Sequence, residues 1–246
     1  MNLFNQFKRS WAITRKDLRI YFLKGPTIIF GLLLPSFLFI AFSMGRNLSV
    51  EFLLPGLLGM TLFFTTSAVG PVITPWETRM RTLERIVSTP IGLWGIILGD
   101  IVASFLFGLA ISLFILVVGV VVVGFHIISG TLIVITVLGA FCFSALGVLI
   151  SAPPTDNPSN IMMLSTLIKF PLIFISGVFV PLSDMGKTVG ISYISPLTYY
   201  VDSVRWVVQG SGYFPLAVDM VILTFFSMVF VGLAIFLHQH NLDKRF

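Results

Sequence analysis

A chain of 246 residues with 57% hydrophobic and only 10% charged side chains has too little polar material to clothe a water-soluble domain. Apolar runs of about 20 residues recur along it, each long enough to cross a bilayer core, so the composition specifies an integral membrane protein. The formal charge of +5 comes mostly from Lys and Arg beside those runs, which argues against a nucleic-acid partner, and the single cysteine, Cys142, excludes an intrachain disulfide and a cysteine metal site.

Residues from about 3 to 24, LFNQFKRSWAITRKDLRIYFLK, place Phe4, Phe7, Trp11, Leu18 and Phe22 near helical spacing. Lys8, Arg9, Arg15, Lys16 and Arg19 lie mostly off that stripe. The pattern predicts a helix lying in the headgroup plane, with rings in the interface and cations reaching anionic heads. The first apolar run begins near Pro26, too far in and too poorly flanked for a cleaved signal peptide.

Six spans follow, at roughly 26–44, 53–74, 96–122, 131–150, 161–180 and 216–237. They make up one all-α transmembrane domain over residues 1–246. Ser104, Gly108 and Ser112 repeat every fourth position in the third span, a spacing of small residues that lets another helix approach closely. The stretch SAPPTDNPSN at 151–160 is a loop. An even number of spans puts both termini on one side. That side carries eleven Lys and Arg, against three (Arg46, Lys187 and Arg205) on the other, which marks it as cytoplasmic.

The charged segment ETRMRTLERIVSTP after the second span therefore faces the cytoplasm. Residues 77–87 read as a helix with Met80, Leu83, Ile86 and Val87 on an apolar stripe. Ser88 or Thr89 is placed to cap the next helix, with Pro90 in its first turn. Such a surface helix either transmits force from a docked cytoplasmic partner to spans two and three or is a passive amphipathic loop. On the other side, Ser195-Pro196 reads as a helix start and Gly210 as a stop, with Leu197, Tyr200, Val201, Val204 and Val208 on the apolar side. Asp202 and Arg205 are spaced to pair on the opposite face. Lys169, inside the fifth span, either snorkels to the interface or faces a transport path. Asp219, near the outer end of the sixth span, reads as an interfacial residue. His126, His238 and His240 fall in turns or the tail and build no intramembrane relay.

The stretch TRMRTLERIVSTPIGLWGIILGD resembles the signature region of ABC-2 type transporter permeases, which runs basic-x-x-G-T-L-E-x-l-x-x-T-P-i and ends in I-L-G-K. Thr82, Leu83 and Glu84 match T-L-E, Thr89, Pro90 and Ile91 match T-P-I, and Ile97, Leu98 and Gly99 match the end. Arg81 stands where glycine is usual, a change read as leaving the helix intact, and Asp100 stands where lysine is common. A second region resembles the family pattern F-x-S-G-x-x-x-P followed by P-L-T-Y and an arginine. Phe174, Ser176, Gly177 and Pro181 match its first half, and Pro196, Leu197, Thr198, Tyr199 and Arg205 its second.

The resemblance, most like the drug- and polysaccharide-exporter branch, implies a non-catalytic permease subunit. It implies a second permease copy and a separate cytoplasmic ATPase that supplies ATP and Mg, with no cofactor held by this chain. It also implies that 77–88 is a coupling helix, carried here by Glu77, Arg79, Arg81, Leu83, Glu84, Arg85, Thr89 and Pro90, and that the segment with Pro181, Pro196, Tyr199, Tyr200 and Arg205 forms short outer re-entrant helices. Phe63, Phe64, Thr65, Thr66, Ser67 and Lys169 are candidate path-lining residues for a lipophilic or amphiphilic cargo. The alternatives are an ATP-independent channel or ion-coupled carrier and a membrane scaffold. The first needs more charge within the spans, or a repeated half, than the sequence holds. GKT at 186–188 is not a phosphate-binding loop, because Pro181 occupies the required glycine position.

Overall fold

The structure is a computed structural model. It describes residues 3–23, 50–123 and 129–245, with a few isolated positions between 31 and 44. The first predicted span and His126 lie outside the described residues. All described elements are helical. In chain order they are α1 (Leu3–Asp17), which widens into a π turn at Leu18–Phe22, α2 (Val50–Thr66), α3 (Gly70–Arg79), α4 (Thr82–Val87), α5 (Leu93–Val123), α6 (Gly130–Ile150) and α7 (Pro158–Ile175). A 3-10 segment (Leu182–Thr188) follows, then α8 (Val189–Ser192), α9 (Pro196–Gln209), α10 (Leu216–Asn241) and a last 3-10 turn (Leu242–Lys244).

Five of the described stretches are long and apolar enough to cross a membrane, and the protein is a multi-pass membrane protein. Local chemistry sets their ends. Ser129 Oγ accepts from Leu132 N–H at 3.2 Å to start α6. Asn157 Oδ1 accepts from Ser159 N–H at 3.0 Å, and Pro158 follows it as the first helical residue of α7. Gly210, at φ +74°, ends α9 in the left-handed conformation that glycine adopts without strain.

The second span is broken. α2 stops at Thr66, and α3 starts at Gly70 with Pro71 in its first turn. Its path crosses the small-residue stripe of α5: a Cβ on Gly108 would stand 2.0 Å from Thr66 Cγ2, and one on Gly70 would stand 3.3 Å from Ser104 Oγ. α6 is the central helix. Phe143 packs edge-on against Phe63 at 5.1 Å and against Tyr200 at 5.8 Å, joining α2, α6 and α9 in one core. By contrast α7 exposes Met162, Met163, Leu167 and Phe174, and α10 exposes Val221, Phe225, Met228 and Phe236. These apolar faces meet lipid or another chain.

Candidate functional site: the α1 end of the bundle

α1 lies along the start of α5, but not on its aromatic stripe. Gln6, Ser10, Ile13, Thr14 and Asp17 are buried, while Phe4, Phe7 and Trp11 are exposed. The buried face is a row of short polar side chains that reach backbone. Ser10 Oγ donates to Gly95 O at 2.6 Å and Thr14 Oγ1 to Gly99 O at 3.0 Å. The helices pack so closely that a Cβ on Gly99 would fall 2.8 Å from Ile13.

The α4 region departs from the sequence reading. Residues 77–87 are not one helix. α3 ends at Arg79, and Arg81 takes φ +54°, the one left-handed non-glycine residue among those described. Arg81 N–H bonds to Thr78 O at 3.0 Å, closing α3, and the chain restarts as α4. The position where the family pattern has glycine is thus a helix stop, and a residue with a Cβ occupies it under strain. Ser88 and Thr89 do not cap the following helix. Their hydroxyls donate backward, to Arg85 O at 2.8 Å and Ile86 O at 2.6 Å. Gln6 takes over the start of α5: its Oε1 accepts from Gly92 N–H at 2.9 Å, and its Nε2 donates to Pro90 O, which also accepts from Arg9.

The predicted coupling residues therefore divide. Glu77 is buried in α3, whereas Arg79, Arg81, Glu84, Arg85, Thr89 and Pro90 are exposed. Leu83 is buried and anchors α4; Met80, expected on the same stripe, is 66% exposed. Ile86 and Val87 pack with Ile13, Ile91 and Ile96.

Behind α4 lies a charge cluster that the sequence did not reveal. The Lys16 ammonium is paired with Glu77, and with Asp17 at 3.0 Å. The buried Asp100 carboxyl lies beside them, within interaction range of both Lys16 and Asp17, and its Oδ1 has no hydrogen-bond partner among the described residues. α1, α3 and α5 thus meet at one cation among three carboxylates. Burial lowers the Lys16 ammonium, but Asp100, Asp17 and Glu77 outweigh it and hold it above its ordinary value. Burial raises the Asp17 carboxyl, with Lys16 pulling the other way. The sequence signal for this face is the helical spacing of Gln6, Ser10, Thr14 and Asp17.

The C-terminal segment closes the same end. The Arg245 guanidinium donates to Ser151, Ala152 and Pro153 carbonyls at 2.8, 3.0 and 3.0 Å and to Thr78 Oγ1 at 3.3 Å. Burial lowers its pKa to about 10. His238, expected in the tail, is a buried member of α10, with Nε2 3.0 Å from Ser151 Oγ.

At the α9 end the predicted helix from Pro196 to Gln209 forms, and Leu197, Tyr200, Val201 and Val204 are buried. Tyr199 Oη donates to Tyr193 O at 3.0 Å, and Pro181 precedes the 3-10 segment. The expected Asp202–Arg205 pair does not form. Asp202 accepts from Tyr213 and Phe214 N–H at 2.9 and 2.8 Å, which spends its carboxylate on a loop. Arg205 donates to Gly177 O at 2.5 Å and lies over the Phe52 ring at 4.8 Å. Gly177, at φ +81°, presents that carbonyl. Burial lowers Arg205 to about 10 against the pull of Asp202 and Asp184. Asp219, read as interfacial, is fully buried.

Phe63, Phe64, Thr65, Thr66 and Ser67 are all buried within the chain. The three hydroxyls donate back to carbonyls of their own helix, and Phe64 meets Phe170 of α7 at 6.2 Å. Lys169 is also buried and does not snorkel; its ammonium bonds to Ser67 O.

The family model for the ABC-2 type transporter matches residues 3–209, from α1 to the end of α9. This chain belongs to that family. Its members are non-catalytic transmembrane subunits, and it is a transport permease. It is 26% identical over 185 residues to the inner membrane transport permease YadH of Escherichia coli K12, covering 74% of this chain and 71% of YadH. The Shigella flexneri YadH matches equally, at 26% over 185 residues. The probable multidrug ABC transporter permease YbhS of Escherichia coli K12 is 23% identical over 200 residues, which is 80% of this chain but 53% of YbhS.

Proposed function

We propose that this chain is the membrane half of an ATP-driven exporter and that α4 is its docking handle for a cytoplasmic ATPase. The observation that carries the reading is the division within 79–90. Leu83 fastens α4 to the bundle, while Arg79, Arg81, Glu84, Arg85 and Pro90 are exposed on the outside. A load applied to that face is delivered through Ile86 and Val87 to α1 and α5, and through the Arg81 stop to α3.

The excess of Lys and Arg on this side supports a cytoplasmic placement of this end and of both termini. Phe4, Phe7 and Trp11, exposed beside Lys8 and Arg15, support the reading of α1 as an interfacial helix. α9 is the outer re-entrant helix. A second copy packs on the exposed apolar face of α7, and a lipophilic or amphiphilic cargo crosses at that seam, with Phe64 and its neighbours one layer behind. The similarity to YbhS, a probable multidrug ABC transporter permease, supports a drug-like cargo. ATP and Mg bind the ATPase, not this chain.

Co-expression with a candidate ABC ATPase subunit, co-purification, and uptake of a fluorescent amphiphile into inverted vesicles test the reading. Association and ATP-dependent uptake are expected. Glu84→Lys should abolish association without changing membrane insertion or thermal stability. Uptake that proceeds without ATP, or wild-type association and transport by Glu84→Lys, counts against it.

A further inference from the structure

The break in the second span costs carbonyls their helical partners, and at Ser67 the partner is missing outright. In an unbroken α-helix the Ser67 oxygen accepts from the N–H of residue 71, which here is Pro71 and has none. Ser67's own hydroxyl does not help, because it donates to Phe63 O. Water has no ready approach from α6: a Cβ on Gly147 would stand 3.1 Å from Ser67 Cα, and one on Gly70 would stand 3.3 Å from the Gly147 carbonyl carbon. An orphaned carbonyl at this depth is costly, since lipid offers no donor.

Lys169 supplies the donor. It comes from α7, 102 residues away in sequence, and its ammonium bonds to Ser67 O. The side chain is buried, and no described carboxylate stands within 4 Å of it. Its charge is instead balanced by position, at the C-terminal end of α2, where the helix dipole is negative and the last carbonyls point outward.

We propose that Lys169 is a positioning residue whose ammonium replaces the missing Pro71 N–H, fixing the bend of the second span and tying the α3–α4 arm to α7. The two halves of the span are joined by a three-residue interruption, Ser67 to Val69, and Lys169 adds a polar tie across it to the packing of α3 on its neighbours. With the bond in place, a shift of α7 turns α3 and the handle at its end, and a push on the handle reaches α7. The link is specific to the geometry rather than to cargo or ATPase, so it stands or falls separately from the transport reading.

The test uses the full chain in nanodiscs, in a Cys142→Ala background, with spin labels on Glu84→Cys and Met163→Cys, both exposed positions, diluted into unlabelled chain. Pulsed dipolar spectroscopy should give one narrow distance. Lys169→Met should broaden the distribution at least twofold, and Lys169→Arg, which keeps a donor, should stay narrow. Adding Pro71→Ala to Lys169→Met restores a backbone N–H for Ser67 O and should return a single narrow distance, at the parent or a shifted mean. If Lys169→Met alone fails to fold, recovery of folded protein by Pro71→Ala supports the assignment equally. A parental width in Lys169→Met overturns it. So does a double variant that is as broad, or as poorly folded, as Lys169→Met.

Discussion

The two ends of the bundle use polar groups in opposite ways. At the α9 end the bonds are mostly short-range: Tyr199 to Tyr193, Asp202 to Tyr213 and Phe214, Ser195 to Leu172 and Arg205 to Gly177 span 6 to 28 residues. At the α1 end they join distant elements. Lys16 to Glu77 spans 61 residues, Gln6 to Gly92 spans 86, and Arg245 to Ser151 spans 94. The first pattern makes a cap whose polar bonds are local; Tyr200, Val201 and Val204 pack it into the α2–α6 core, and Gln209 and Arg205 over Phe52 add polar ties to α2. The second makes joints, at which separate helices are held by a few groups that can be loosened one at a time.

The contrast breaks most visibly at Lys16. Lys16→Met strands three carboxylates at one buried junction and should cost about 3 kcal/mol, read as a lowered Tm in detergent. Asp100→Asn, which removes one of the surplus acids at the same junction, should hold or raise Tm. A junction indifferent to both changes is not a charge-balanced joint. At the other end, Arg205→Met leaves Gly177 O unpartnered and the Phe52 face bare, for about 2 kcal/mol. Because the cap is local, that loss should leave amide exchange in α1 and α4 unchanged. Arg81→Gly relieves a left-handed residue and should gain about 1 kcal/mol, with α4 retained.

The smallest effect is on pH dependence. Burial raises the Asp17 carboxyl in the folded chain. Between its ordinary value and the raised one, the folded state holds a proton that the unfolded chain has released. Stability at this joint therefore rises as pH falls into that window and is lost as pH climbs out of it. Asp17→Asn should flatten the slope of Tm against pH there, and an unchanged slope removes Asp17 from the account.

Much of this was legible in the residues. Apolar run length gave the described spans, Pro196 and Gly210 framed α9, and the small-residue stripe at 104 and 108 marked where α2 crosses α5. What stayed hidden was whatever depends on two distant residues meeting. Periodicity on α1 shows an aromatic stripe and a polar stripe but not which one faces protein; the choice is made by Gly95 and Gly99, whose backbones lie close enough for Ser10 and Thr14 to reach. The i, i+3 spacing of Asp202 and Arg205 permits a pair, yet unpaired backbone groups at 177, 213 and 214 claim both charges first. Arg81 reads as helical by composition, and only the turn it must make shows why glycine fits that position.

The central claim, that α4 is an inward-facing handle, is tested most directly by accessibility. In a Cys142→Ala background, Arg85→Cys should react with a membrane-impermeant maleimide in inverted vesicles and not in sealed right-side-out cells, and added ATPase should protect it. Reaction from the outside of sealed cells contradicts the account.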